Sequence, residues 1–372
     1  MSLAAAARVG DPVAAIATPA LVIDLDALER NIARMAAYAR EHGMRLRPHA
    51  KTHKCAEIAK RQIAAGAVGV CVQKLSEAQA LAEAGVADLY ISNEVVDAGK
   101  LAELAALAAR ARLAIAVDSG LGVDRLAAAL KAAGASVDVF VEVDVGHGRC
   151  GVAPAAAASL AHQVVSHGLR FAGLQAYHGR AQHLRTPAER ESAIRHAVSL
   201  ARAAQASVTS AGIACPLVTG AGTGTFVLEA ASGLYGELQA GSYVFMDRDY
   251  ADNHAAPHAP AFEHALFVKS QVMSAGTSHV VVDAGHKSHA IDSGLPRVHG
   301  RELEFVNGGD EHGILRKHGA APLPALGETV WLIPGHCDPT VNLHEHYVVV
   351  RGGLEAGRVE AVWPIDARGC IR

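Results

Sequence analysis

Residues Asp88–Asp118 read DLYISNEVVDAGKLAELAALAARARLAIAVD. A short apolar run, Asp88–Ser92, is followed by Asp97–Arg112, an Ala- and Leu-rich stretch of 3.6 periodicity. A second apolar run, Leu113–Asp118, then begins. Short apolar runs between turn residues are buried strands, and the periodic stretch is an amphipathic helix. The unit recurs in both directions along the chain. Its strands are Leu46–Lys51, Gly69–Gln73, Asp88–Ser92, Leu113–Asp118, Val137–Val145, Phe171–His178, Leu217–Gly220 and Glu237–Ser242, with Ser76–Gly85 another of its helices. This α/β pattern predicts a (β/α)8 barrel. An open doubly wound sheet is the alternative, but it would use fewer strands. An extra strand, Ala20–Asp26, and a helix, Leu28–Glu41, precede the first unit.

After about residue 255 the helical stretches stop. The runs Ala265–Ser274, His279–Asp283, Glu328–Pro334, Tyr347–Arg351 and Arg358–Pro364 are β-rich and punctuated by Gly and Pro. They predict a separate all-β domain. Asp283–Gly327 has weak periodicity and reads as irregular loop and strand. The expected division is residues 28–250 for the barrel and 251–372 for the β domain, with residues 1–27 as an N-terminal segment that joins the β domain.

A length of 372 residues suits one large domain or two, and 51% hydrophobic against 19% charged residues marks a globular chain. The net charge is −3 and no basic run occurs, which argues against nucleic acid and anionic membrane surfaces as partners. Aromatic residues at 4% argue against a base-stacking platform. No run of 18 apolar residues is present, so no membrane-spanning helix is expected. Met1–Asp11 lacks the apolar core of a signal peptide. The six Cys are scattered singly without a C-x-x-C pair. The expectation is a soluble cytoplasmic protein with reduced thiols.

Four places carry candidate chemistry. Lys51, in Arg47–Lys54 (RPHAKTHK), falls at the C-terminal end of the first barrel strand, where barrel enzymes place their sites. Desolvation and nearby cations would lower its pKa and let it form a Schiff base; the competing reading is a solvated lysine at a strand end. Lys54 is the weaker candidate. Thr219–Thr225 (TGAGTGT) and Ala240-Gly241-Ser242 follow the seventh and eighth strands, where barrels bind phosphate. Either alone would be a tight turn. A lysine at strand one with phosphate loops after strands seven and eight suggests pyridoxal phosphate. Last, Pro334–Thr340 (PGHCDPT) places His336 and Asp338 on one side of an extended chain, with Cys337 pointing away. An imidazole and a carboxylate make a divalent site with open positions; the competing reading is a capped turn. Val141–Gly151, Gln175–Gly179 and Gln182-His183 also fall at strand ends facing the same mouth, with Glu142 and Asp144 alternating on one strand.

Together Arg47–Lys54, Val141–Val152, the Gly-Thr-Gly-Thr loop and His-Cys-Asp-Pro-Thr resemble the D-threonine aldolase and 3-hydroxy-D-aspartate aldolase family. These are fold-type III pyridoxal-phosphate enzymes related to alanine racemase. The resemblance runs from Thr18 to Gly369. It implies a TIM barrel followed by a C-terminal all-β domain that the initial strand joins. It implies Lys51 as the Schiff-base lysine. Gln73, Thr223, Gly241 and Ser242 match cofactor-contacting positions, with Gly222 beside them. Arg149 matches an arginine near the phenolic oxygen, and Tyr177 a ring packed on the pyridine. His336 and Asp338 match the metal ligands, and His183 a histidine near the substrate hydroxyl. The racemases have an arginine facing the pyridine nitrogen where this chain has Gln239. A neutral amide will not protonate the ring, so the cofactor should be a moderate electron sink, with the metal supplying activation at the β-oxygen.

The implied reaction is retro-aldol cleavage of a D-3-hydroxy amino acid, D-threonine or 3-hydroxy-D-aspartate, to glycine and an aldehyde, acetaldehyde or glyoxylate. The divalent ion would bind the β-hydroxyl, and His183 or a metal-bound water would take its proton. The rival enzyme reading is D-serine or 3-hydroxyaspartate dehydratase-type β-elimination. Those relatives tend to carry His-x-Cys at the metal. The carboxylate of Asp338 favours Mg, Mn or a similar hard ion and the aldolase. A non-catalytic pyridoxal-phosphate carrier is the rival of another class, but such carriers lack a β domain. A β-carboxylate on the substrate would need a cation, and Arg180, Arg185, Arg248 and Lys287 are available. The tail from Pro334 to Gly369, with Val362-Trp363-Pro364, looks closer to the 3-hydroxyaspartate type. Relatives of this fold type commonly dimerise, which leaves a homodimer open. Of the 21 histidines, His49, His53, His178, His286 and His312 fall near the site or in loops that could face it. Fourteen others, among them His42, His162, His167 and His196, read as surface residues.

Overall fold

The computed structural model describes residues 6–256 and 259–372. The first five residues of Met1–Asp11 therefore lie outside the described part. The strands in chain order are β1 (Ala20–Asp24), β2 (Arg45–Leu46), β3 (Val70–Val72), β4 (Asp88–Ile91), β5 (Arg112–Val117), β6 (Asp138–Glu142), β7 (Arg170–Gln175), β8 (Val218–Gly220) and β9 (Glu237–Leu238). They continue as β10 (Leu266–Ala275), β11 (His279–Val282), β12 (Arg297–Val298), β13 (Leu303–Asn307), β14 (Gly313–Lys317), β15 (Thr329–Ile333), β16 (His346–Arg351) and β17 (Arg358–Pro364).

Strands β2 to β9 form one eight-stranded sheet in the order β2-β9-β8-β7-β6-β5-β4-β3. Every pairing in it is parallel, and a parallel bridge His49↔Cys71 joins its two ends. This is the expected barrel. Regular pairing of β2 stops at Leu46, earlier than the predicted Lys51, because Pro48 has no N–H to give the ladder. The carbonyl of Pro48 still accepts from Cys71 N–H at 2.8 Å. The chain then tightens into a 3-10 turn, Ala50–Thr52, that carries Lys51. At the opposite mouth the buried Arg47 guanidinium lies 2.5 Å from Asp88 and 3.4 Å from Glu237, so ion pairs close the barrel floor.

The other sheet has nine strands, in the order β13-β14-β11-β10-β1-β16-β17, with β15 pairing β10 and β12. Strand β1 lies antiparallel to β10 and parallel to β16. Its helix starts at Leu25 rather than Leu28, because Asp24 caps it by accepting from Ala27 N–H at 3.2 Å. The stretch Asp283–Gly327 is more ordered than its composition predicts, since it contributes β12, β13 and β14. Leu303 and Phe305 are buried on one face of β13 and Glu304 is exposed, an alternation too short to stand out among Gly and His. His289, one of the histidines assigned to the surface, is fully buried there against Phe305 at 5.1 Å.

The two sheets share a core around helix Leu25–Glu41. Leu28, Ile32 and Met35 from that helix pack in one cluster with Tyr243, Phe245, Leu266, Cys337 and Tyr347. This shared core presses the Pro334–Thr340 segment onto the barrel mouth. Tyr347 Oη donates to the His53 carbonyl at 2.7 Å, Arg248 N–H to the Pro334 carbonyl at 3.0 Å, and Cys337 N–H to Asp247 Oδ2 at 3.1 Å.

Candidate active site

A cavity of about 420 Å³ opens at the C-terminal mouth of the barrel. Lys51, Gln73, Arg149, Tyr177, His183, Gly222, Thr223, Gln239, Gly241, Ser242 and His336 all line it. Asp338 sits behind, with its Oδ2 2.5 Å from Lys51 Nζ. A larger groove of about 780 Å³ lies on the β domain and holds none of these residues; its one buried lysine, Lys269, is satisfied by the carbonyls of Val13, Ala14 and Ile16.

Lys51 and Asp338 form an ion pair across the domain boundary. Burial works to lower the Lys51 pKa, but the adjacent carboxylate outweighs it and holds the amine protonated. Burial likewise works against the Asp338 charge, and Lys51 and His336 overcome it, so that carboxyl lies well below the usual range. The His49 and His53 imidazoles add no charge. Burial, then Lys51, pushes His49 down to about 3, and burial pushes His53 down to about 4. Neutral His49 links Gln73 Oε1 at 3.0 Å to Ser92 Oγ at 3.2 Å.

The loops after β8 and β9 are the candidate anion cradle. The N–H groups of Gly222, Thr223 and Ser242 have no acceptor among the described residues. Thr223 Oγ1 ties the two loops together by accepting from Tyr243 N–H at 3.0 Å. The glycines are required by close approach. A Cβ on Gly222 would lie 2.5 Å from Gln182 Oε1, and one on Gly241 would lie 2.7 Å from the His49 carbonyl oxygen. Gln239 is buried and donates from Nε2 to Gln175 Oε1 and to Thr219 Oγ1, both at 2.8 Å. It therefore belongs to a neutral amide network. Arg149 stands 5.8 Å over the Tyr177 ring and 4.0 Å from Glu142. Burial, then the neighbouring Glu94, pushes the Glu142 carboxyl up to about 9. Glu94, Asp118 and Cys150 bring ligand atoms within 4.8 Å of one another at the ends of β4, β5 and β6, a cluster that strand-end spacing did not single out.

His336 is extended, and the chain turns at once into the short helix Cys337–Val341. This replaces the extended chain expected through Asp338, yet the two side chains still face each other. His336 Nδ1 bonds Asp292 Oδ2 at 2.7 Å, which leaves Nε2 4.0 Å from Asp338 Oδ1. That Oδ1 is buried and has no hydrogen-bond partner. An imidazole oriented by an outer carboxylate, beside an orphaned carboxylate oxygen, suits a divalent cation. Cys337 points away into the core, as expected.

His183 ends the 3-10 turn Arg180–His183, and its Nδ1 lies 2.5 Å from Asp249 Oδ2. Asp249 was not foreseen. It follows the barrel's last strand by eleven residues and carries no motif; only the alternation Asp247-Arg248-Asp249 hints at a polar turn. Asp292 was missed for the same reason, lying in the stretch read as irregular.

The model for the alanine racemase N-terminal domain matches residues 23–249, and a second model, for a serine dehydratase domain, matches residues 265–350. The chain is 48% identical over 370 residues to the D-threonine aldolase of Arthrobacter sp, covering 98% of this chain and 96% of that one. The chain belongs to the D-threonine aldolase and 3-hydroxy-D-aspartate aldolase family. A 3-hydroxy-D-aspartate aldolase of Paracoccus denitrificans (strain Pd 1222) is 42% identical, with 95% and 92% of the two chains covered. The D-threo-3-hydroxyaspartate dehydratase of Delftia sp. stands further off at 32%, over 89% and 93%. The crystal structure of D-threonine aldolase from Filomicrobium marinum superposes with a TM-score of 0.96 at 47% identity over the whole of both chains. Aldolases are carbon–carbon lyases, and this chain is an enzyme of that class. Its aldolase family is alanine racemase-like and built around pyridoxal phosphate. No helix among the described residues is long and apolar enough to cross a membrane.

Proposed function

We propose that this enzyme is a pyridoxal-phosphate- and divalent-metal-dependent aldolase that cleaves a D-3-hydroxy amino acid, D-threonine or 3-hydroxy-D-aspartate, to glycine and an aldehyde. One observation carries the reading: the amine of Lys51, the His336–Asp338 donor pair and the cradle of free N–H groups all meet at one cavity. Lys51 would hold the cofactor, Gly222, Thr223 and Ser242 its phosphate, and Tyr177 its ring. His336 and Asp338 would hold the ion, with Mg or Mn favoured by the carboxylate. When bound, the cofactor supplies an electron sink for the pair left on Cα, and the ion acidifies the β-hydroxyl.

The remaining work falls to side chains. His183 lies on the rim where it takes the β-hydroxyl proton as the Cα–Cβ bond breaks. Gln239, neutral and locked by Gln175 and Thr219, keeps a proton source away from the ring nitrogen. The substrate carboxylate needs a cation, and the four available arginines and lysines differ in their partners. Arg185 is paired with Asp249, Arg248 with Asp252, and Lys287 with Asp310 and Glu311. Arg180 lines the cavity and has no acidic partner among the described residues. It is assigned to the substrate carboxylate. Six free cysteines suit the reducing cytoplasm.

The test is product analysis on D-threonine and on 3-hydroxy-D-aspartate, each with and without EDTA. Glycine plus an aldehyde, lost with EDTA and restored by Mg or Mn, is the expected result. A keto acid plus ammonia would make the enzyme a dehydratase. No metal-dependent turnover of any D-3-hydroxy amino acid would return it to a carrier role.

A further inference from the structure

We infer that Asp249 is the positioning residue for His183, and that Arg185 sets how strongly it acts. The inference rests on reading His183 as the group that takes the β-hydroxyl proton. The His183 side chain is 46% exposed, and among the described residues its ring neighbour is Tyr250, with centroids 5.5 Å apart. Packing alone does not fix such a ring; a hydrogen bond does. Nδ1 donates to Asp249 Oδ2 at 2.5 Å, so Nε2 is the nitrogen left free.

Asp249 has the fixity that a positioning residue needs. Its side chain is only 8% exposed. It sits in the short helix Arg248–Ala251, which Asp247 caps by accepting from Tyr250 N–H at 3.0 Å. Arg185 pairs with the other carboxylate oxygen, Oδ1, and donates to the Asp249 carbonyl at 2.5 Å and to Asn253 Oδ1 at 2.8 Å. Burial pushes the Asp249 carboxyl up, but His183 and Arg185 outweigh it and hold it at about 2. It is therefore a carboxylate throughout the neutral range. The other charged or titratable groups that line the cavity with His183 are Tyr250, Arg180, His147, Arg149, His49, Lys51, Tyr177 and His336, and Arg185 pairs with Asp249.

The proton balance is simple. The β-hydroxyl proton moves to Nε2 while Nδ1–H stays on the imidazole, donating to an aspartate that remains ionised. Asp249 thus fixes the tautomer, aims Nε2 and stabilises the imidazolium. Arg185 draws on the same carboxylate and weakens that stabilisation.

The experiment uses the cofactor- and metal-loaded enzyme. Asp249→Asn should lower kcat roughly 10- to 100-fold, part of what a general base contributes, with KM nearly unchanged. The acid limb of its pH–kcat profile should move to lower pH, because the imidazolium loses its counter-charge. Arg185→Gln should move the same limb to higher pH. Neither should change the absorbance of the bound cofactor. In a His183→Gln background, Asp249→Asn should cost nothing more. An equal loss in both backgrounds, or limbs that move the same way, would show a merely structural role and overturn the inference. If His183→Gln alone keeps full kcat, the base reading falls, and the inference with it. If Asp249→Asn does not load cofactor, the direction of the Arg185→Gln shift decides.

Discussion

Lys51 Nζ lies 2.5 Å from Asp338 Oδ2, so the lysine assigned to the cofactor and the carboxylate assigned to the ion share one contact. Replacing Lys51 with Ala should abolish the near-visible absorbance of the purified enzyme in pyridoxal phosphate, and an unchanged spectrum would remove Lys51 from its role. Arg180 offers a second test at this scale. It packs on no acid, so its loss costs no ion pair. Arg180→Ala should raise KM for the amino acid substrate about 10- to 100-fold, the ~1.5–3 kcal/mol of a hydrogen bond to a charged group, with the melting temperature unchanged. Steady-state kinetics on both candidate substrates measures it. A loss on 3-hydroxy-D-aspartate alone would mean that Arg180 contacts the β-carboxylate.

At the scale of elements, the two glycine loops bind through backbone, so their geometry is exposed to small changes. Gly241→Ala would place a Cβ 2.7 Å from the His49 carbonyl oxygen and 3.0 Å from Thr52 Oγ1, both on the turn that carries Lys51. Backbone cannot swing aside as a side chain can. The substitution should cost about 1–3 kcal/mol and weaken cofactor binding; denaturant unfolding and a cofactor titration check the two effects separately. The barrel and its mouth were legible in the sequence because strand, helix and turn repeat, and because chemistry-bearing residues sit at the strand ends. Lys51 and the glycine loops follow from that register, and His336 from its two-residue spacing to Asp338. Asp249 and Asp292 were not legible. Each acts on a histidine distant in sequence, His183 or His336, and no periodicity relates a carboxylate in a loop to a ring 44 or 66 residues away. The contact between Lys51 and Asp338 is hidden for a similar reason, since the two lie 287 residues apart.

For the molecule as a whole, Glu142 should leave a mark on the pH dependence of stability. Its folded pKa, about 9, is raised above the unfolded value by burial first and by Glu94 second. The folded state then holds a proton that the unfolded state has lost, so this contribution is full below the unfolded pKa and is lost as pH rises toward 9. Glu142→Gln keeps the shape of the neutral acid and should flatten that decline. Thermal melts of both proteins from pH 5 to 9 would show it; parallel curves would mean that Glu142 is ionised in the fold.

Strand β1 lies between β10 and β16. It is made early on the ribosome, while the residues that flank it, from Leu266 onward and from His346 onward, come much later. At synthesis rates of about 5–20 residues per second, the strand waits on the order of tens of seconds with both edges open. The barrel strands between can pair as they emerge, but the segment that brings Asp338 to Lys51 is made only after β10 and β15, between β15 and β16. Assembly of the site is thus a late event in the life of the nascent chain. Slow or interrupted translation would leave an apolar strand, Ala20–Asp24, free to pair with another chain. Poor yield of variants weakened in β16 or β17 would then reflect capture of that strand during synthesis rather than damage to the finished enzyme.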